Sequence, residues 1–127
     1  MSVLDSFKPF NFNEGMPYVS ITSNGMTFNK SVVMKMDYPE FVVLLIDEDS
    51  KRIAIKKCDS HTQNAAPFYK EKKSNVISVR WNGRDLLNTI QSMMEWDLDK
   101  GGFRIDGLLL KEEQAMLFDL TSATALN

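Results

Sequence analysis

This 127-residue sequence predicts an α+β fold of two related β-α-β-β units around an antiparallel sheet. The first of two observations behind it is the order of signals from Tyr18 to Lys57: strand, Asn-Gly turn, short helix, apolar strand, polar turn, strand. The second is that this order returns in weaker form. Val19-Ser20-Ile21-Thr22-Ser23-Asn24-Gly25 lies over Ile77-Ser78-Val79-Arg80-Trp81-Asn82-Gly83 with a shift of 58 positions (77 − 19), and that shift carries Met36-Asp37-Tyr38 onto Met94-Glu95-Trp96. The second copy is longer beyond that point, with Gly101-Gly102 in the insertion. Phe41 still matches Phe103, and Asp47-Glu48-Asp49 matches Lys111-Glu112-Glu113. The pattern is that of a degenerate internal duplication.

Residues 1–17 form an arm, because Phe7, Phe10 and Phe12 stand among Pro9, Asn11, Asn13 and Gly15 with neither helical nor strand periodicity. Its rings are expected to dock on the folded body or on a second subunit, since each gains on the order of 2 kcal/mol by burial. Residues 18–58 are the first unit. Strand 18–22 meets Asn24-Gly25, the pair a type I′ hairpin turn demands, and 26–28 returns. Asn29 is placed to cap a helix with Val32, Val33 and Met36 on one face, and Pro39 stops it by about Asp37. Residues 41–46 (Phe41-Val42-Val43-Leu44-Leu45-Ile46) are apolar throughout, as a strand buried on both faces would be. An acidic turn at 47–50 leads to the alternating strand Arg52-Ile53-Ala54-Ile55-Lys56.

Residues 59–75 read as a basic linker without structure of its own, pinned by Phe68 and Tyr69. The second unit occupies 76–121. It opens with strand 76–79 and continues, from an Asn82 cap, into a helix whose Leu86, Leu87, Ile90, Met93 and Met94 share one face; Asp85 meets the favourable end of its dipole. Strands 103–110 and 115–120 close it as a hairpin around Glu112-Glu113, and 122–127 is expected to fray.

The length suits one domain with its own core. Hydrophobic residues make up 43% and charged residues 25%, a soluble globular balance. The single Cys58 excludes an intrachain disulfide and suits a reducing cytoplasm, the expected location. The longest apolar run has six residues and the N-terminus lacks a basic-then-apolar pattern, so neither a membrane span nor a secretory signal is expected. The net charge of −2 conceals a skew: residues 51–84 hold nine basic and two acidic side chains between two acidic ends. Local skew of this kind marks an electrostatic footprint or a solvated face.

Catalysis has little footing in these residues. His61 is the one histidine, and Cys58-Asp59-Ser60-His61 offers two zinc ligands where an ordinary N/S site needs four. Cys58 with His61 could form a nucleophile and base pair, but no oxyanion-hole motif accompanies them. Asp47-Glu48-Asp49 lacks the ligand spacing and central Gly of a calcium loop, and Gly101-Gly102 precedes a strand where a phosphate loop needs a helix. A non-enzymatic protein without metal or cofactor is therefore expected.

Ile21-Thr22-Ser23-Asn24-Gly25-Met26-Thr27-Phe28-Asn29-Lys30 and Arg52-Ile53-Ala54-Ile55-Lys56-Lys57 carry a likeness. The first unit resembles the swapped-hairpin DNA-binding module of the AbrB, SpoVT and MraZ family of bacterial regulators, in which an Asn- or Pro-type residue opens the short helix and an Ile/Leu-Lys strand ends the unit. The resemblance covers about a third of the chain and implies the topology. DNA contact in that family comes from basic residues near the first hairpin, whereas residues 18–29 here hold neither Lys nor Arg.

The expected function is a small nucleic-acid-binding or regulatory protein, contacting DNA or RNA through Arg52, Lys56, Lys57, Lys70, Lys72, Lys73, Arg80 and Arg84, with Phe68, Tyr69 and Trp81 interleaved. That surface requires the strand of Arg52 and Lys56 to lie beside the strand of Arg80. The alternative is a protein-interaction or assembly module without nucleic-acid binding. A homodimer through residues 41–46 or through the arm is expected in either case.

Overall fold

A computed structural model describes residues 3–7, 15–71 and 77–126. It contains β1 (Tyr18–Thr22), β2 (Gly25–Phe28), α1 (Lys30–Lys35), β3 (Phe41–Asp47), β4 (Arg52–Cys58), β5 (Ala65–Pro67), β6 (Val79–Trp81), α2 (Arg84–Met94), β7 (Phe103–Leu110), β8 (Ala115–Asp119) and β9 (Thr124–Ala125). The strands form one curled antiparallel sheet in the order β5-β3-β4-β8-β7-β1-β2-β6, with β9 alongside β7. The α+β class and the antiparallel sheet stand as expected.

Alternation decides which side chains face inward. Val19 and Ile21 of β1, Met26 and Phe28 of β2, Ile53 and Ile55 of β4, and Met116 and Phe118 of β8 are almost completely buried. Phe28 is the hub, its ring 5.3 Å from Phe68, 5.1 Å from Trp81 and 5.8 Å from Phe118. The two edges of the curled sheet meet there: the Trp81 indole N–H donates to the Pro67 carbonyl of β5 at 3.0 Å.

β7 joins two half-sheets. Its residues from Phe103 to Asp106 pair with β1, and those from Gly107 to Leu110 pair with β8. At the changeover Gly107 faces inward opposite Phe118, where an added Cβ would lie 2.8 Å from Met116 Sδ and 2.9 Å from Phe118 Cε1. Only glycine fits there without displacing the core.

The helices close the two ends of the sheet. Asn29 caps α1, as expected, its side-chain oxygen accepting from the Val32 amide at 3.2 Å and from the Tyr18 amide at 3.0 Å. α1 buries Val32 and Val33 and ends in two left-handed residues, Asp37 and Tyr38, before Pro39. α2 buries Leu87 and Ile90 on the expected face, but its cap is Gly83, with no side-chain bond, and not Asn82. Lys51, in the β3-β4 turn, donates to the Met93 carbonyl near the end of α2 at 2.8 Å. At the other end of β4, α1 residues Lys35 and Met36 share a cleft with Lys111 and Gln114 of the β7-β8 turn.

Several expectations change. The described part of the linker is structured: β5 pairs with β3, and the length of three residues, one of them Pro67, hid it because proline is tolerated on an edge strand. The opening strand of the second unit is Val79–Trp81, later than expected; β6 then passes straight into α2 without a counterpart of β2, in keeping with the reading of that unit as one strand followed by a helix. The C-terminal tail is held, since β9 pairs with β7 and the Leu126 amide donates to the Gly102 carbonyl at 2.9 Å. Residues 3–6 make a 3-10 turn with no buried side chain and Phe7 is 67% exposed, so that ring does not dock on the body; Phe10 and Phe12 lie outside the described residues. β3 is not buried on both faces, because among the described residues no helix or strand layer covers its outer side: Val42 is buried, yet Leu45 is 48% exposed.

Candidate functional site

Among the described residues, the expected basic surface does not assemble. Arg52 and Lys56 point outward from β4, and Arg80 points outward from β6. β4 is third and β6 eighth in the strand order, so the two are not neighbours. Arg52 is occupied locally: its Nε donates to Ser50 Oγ at 2.8 Å, its guanidinium lies 3.7 Å from Asp47, and Asp119 is its cross-strand neighbour. Lys57 faces away from Lys56, toward the cleft at the α1 end that also holds Asp37. Lys70 follows β5 in a groove with Tyr38, Tyr69, Glu40 and Glu71. Arg80 Nε donates to Thr27 Oγ1 at 3.1 Å, and Arg84 opens α2 in a cleft with Ser23, Asn88 and Asp99. Lys72 and Lys73 lie outside the described residues. Of the interleaved aromatics, Phe68 and Trp81 face the core. Clustering along the chain did not become clustering in space among the described residues, because β4 and β6 are not neighbours in the sheet.

Two carboxylates are held below the usual range. Asp47 is lowered chiefly by the Ser50 hydroxyl and amide, with the Asp49 amide and Arg52 adding to the effect. Asp119 is lowered by the Thr121 hydroxyl and amide and then by Arg52. Both are charged turn-formers beside one arginine. The Asp59 carboxylate accepts from the His61 amide at 2.9 Å in the turn after Cys58. Among the described residues, no group of three or more His, Cys, Asp or Glu could hold a metal ion, and no helix is long and apolar enough to cross a membrane.

The outer face of the sheet has two characters. Over β9-β7-β1-β2-β6 it is polar: Thr124, Arg104, Ser20, Thr27 and Arg80 form one cross-strand row, with the Arg104 guanidinium 3.8 Å from the centre of the Tyr18 ring. Over β3-β4-β8-β7 it is apolar. There Leu45, Ala54, Leu117 and Leu108 form a continuous row, Leu45 48% and Leu108 60% exposed. The next row is Val43, Lys56, Ala115 and Leu110. On the opposite side, Asp47, Arg52 and Asp119 edge the patch with charge.

A one-sided antiparallel sheet ordinarily carries polar side chains on its solvated face. The departure is confined to four strands, and sequence reasoning found only its β3 part. Leu108-Leu109-Leu110 was the other visible signal, a run whose alternate members had to face outward. Comparison with protein-family models, with curated proteins and with solved structures finds no match to this chain.

Proposed function

We propose that this chain is a non-enzymatic interaction module that works by protein–protein contact through the outer face of β3-β4-β8-β7. One observation carries the reading: a four-residue apolar row lies open on a face whose other half is polar. Burial of the exposed parts of Leu45 and Leu108 would contribute on the order of 1 kcal/mol each. Contiguous apolar surface of this kind marks a partner site, whereas isolated exposed leucines do not. The setting is a reducing cytoplasm, in which Cys58 stays a thiol.

The finer architecture belongs to the same proposal: two related units, interlocked as in the swapped-hairpin family that the first unit resembles. Asp37 and Glu95, related by the shift of 58, are both left-handed at the end of a helix. Lys51 and Gln114, 63 positions apart (114 − 51), are both left-handed and directly precede the last strand of their hairpins. Each helix end lies beside the other unit's turn, Met93 with Lys51 and Lys35 with Gln114, and β1 pairs with β7 across the units. These correspondences support duplication with an insertion of five residues (63 − 58) before the second hairpin.

An apolar-surface dye and labelled nucleic acid test the functional reading together. Anilinonaphthalene sulfonate should bind the folded protein at low micromolar concentration and lose that binding in Leu45→Ser/Leu108→Ser, while fluorescence anisotropy of single- and double-stranded DNA and RNA stays flat at low salt. The nucleic-acid reading draws less support from the dispersed cations. It replaces this one if anisotropy rises and Arg52→Gln, Lys56→Gln, Arg80→Gln and Arg84→Gln together abolish the rise.

A further inference from the structure

We infer that the occupant of the apolar face is a second copy of this chain, seated face to face about a two-fold axis that runs along the strands between β4 and β8. The inference rests on the protein-contact reading above and names its partner. Turning the strand order β3-β4-β8-β7 over about that axis lays β3 of one copy on β7 of the other, and β4 on β8. Each row then meets its own reverse. Leu45 faces Leu108, and the small Ala54 receives the large Leu117. In the next row Val43 faces Leu110, and the Lys56 stem passes over the already buried Ala115; in the charged row Arg52 faces Asp119 and Asp47 faces Asp106.

Every one of these contacts occurs twice, as a closed two-fold interface requires. In the same superposition the small Ala54 receives Leu117 and Arg52 meets Asp119, while Asp47 meets Asp106 at the rim. Other orientations lose this match: with the axis along the apolar row, Lys56 would face Arg52 of the other copy. Aligned sheet-on-sheet packing about 10 Å apart is the matching geometry. Residues 41–46 gain in this way a second cover that the described residues of the single chain do not supply.

Size sets the strength. Four strands about 4.8 Å apart and three rows about 6.8 Å apart give a patch on the order of 400 Å². A standard interface buries about 800 Å² on each partner. The dimer is therefore weak and concentration-dependent, with a dissociation constant on the order of tens to hundreds of micromolar.

Sedimentation of the full chain from about 1 μM to about 1 mM reads this out over the range where such association falls. The mass should rise from 14.5 kDa toward twice that value. Leu108→Ser and Leu45→Ser should each weaken association at least tenfold with unchanged melting, because both side chains are exposed in the monomer. Arg52→Glu should weaken it as much, and Arg52→Lys should retain it. Adding Asp119→Lys to Arg52→Glu should restore it; should that double variant melt early, the contrast between Arg52→Glu and Arg52→Lys still decides. A single 14.5 kDa species throughout, with dye binding intact, overturns the second copy and leaves the protein-contact reading standing for a different partner. Dye binding that appears only in Phe10→Ser/Phe12→Ser makes the chain's own arm the occupant and overturns the inference, as does a dimer indifferent to Leu45→Ser and Leu108→Ser. Absence of dye binding in every variant overturns the protein-contact reading itself.

Discussion

Replacing Trp81 separates the two ways in which the sheet edges are joined. Trp81→Phe keeps an aromatic ring against Phe28 and Phe68 and removes only the N–H donated to Pro67 at 3.0 Å. A net hydrogen bond of this sort contributes about 1 kcal/mol. Trp81→Ala also removes two edge-to-face contacts, at 5.1 and 5.9 Å. Each is worth roughly 0.5–1.5 kcal/mol beyond the area it buries. With the lost area included, the cost of Trp81→Ala comes to about 3 kcal/mol, at the lower end for an aromatic because the ring is only partly buried. Urea unfolding with a slope near 2 kcal/mol/M should then show midpoints lowered by about 0.5 M for Trp81→Phe and about 1.5 M for Trp81→Ala. Hydrogen exchange at the Phe68 and Tyr69 amides, which donate to the Glu40 and Pro39 carbonyls, should quicken in the same order. Equal midpoint shifts for the two variants, or no shift beyond about 0.3 M in either, would refute the joined edges.

Gly107→Ala should cost about 1–3 kcal/mol by overpacking against Met116 and Phe118, measured as a midpoint shift at constant slope. Asn29→Ala removes the cap of α1 and the acceptor of the Tyr18 amide together, so a loss of about 1–2 kcal/mol is expected by the same measurement, with early exchange at Tyr18 and Val32. The lowered Asp47 and Asp119 carboxyls bind protons less readily in the folded chain than in the unfolded one. Their stabilisation is therefore complete above the ordinary carboxyl range, near pH 4, and is lost as pH falls through their lower folded values. Asp47→Asn with Asp119→Asn should flatten the acid side of a stability–pH curve and leave its slope at neutral pH unchanged.

Elements with a strong period were legible in the sequence. Leu86, Leu87, Ile90 and Met94 located α2 to within a residue, and the β3-β4 and β7-β8 hairpins matched their runs closely. β5 was not legible, because Ala65-Ala66-Pro67 has no period and takes its structure from the edge of β3. The order of strands across the sheet was not legible either, since it depends on which apolar faces meet and not on any local signal. That is why the basic segment misled: Arg52 and Arg80 belong to one basic segment of the chain but to strands that are not neighbours. Of the apolar face, the residues of β3 announced themselves as a run too hydrophobic for a half-solvated strand. Ala54, Leu117 and Leu108 became part of it only through register.

The pairing of β1 with β7 has a consequence for the birth of the chain. Ser20 meets Arg104, 84 positions later (104 − 20). At a synthesis rate of roughly 5–20 residues per second, about 4–17 s separate the appearance of the two partners. Until β6 emerges to pair with β2, Val19 and Ile21 belong to a lone hairpin, a structure of marginal stability in water, with the face destined for the core uncovered. Closure of so distant a loop also delays the reward of the contact until its entropy has been spent. β1 and β2 therefore wait for β7, and the sheet completes only when nearly the whole chain has left the ribosome.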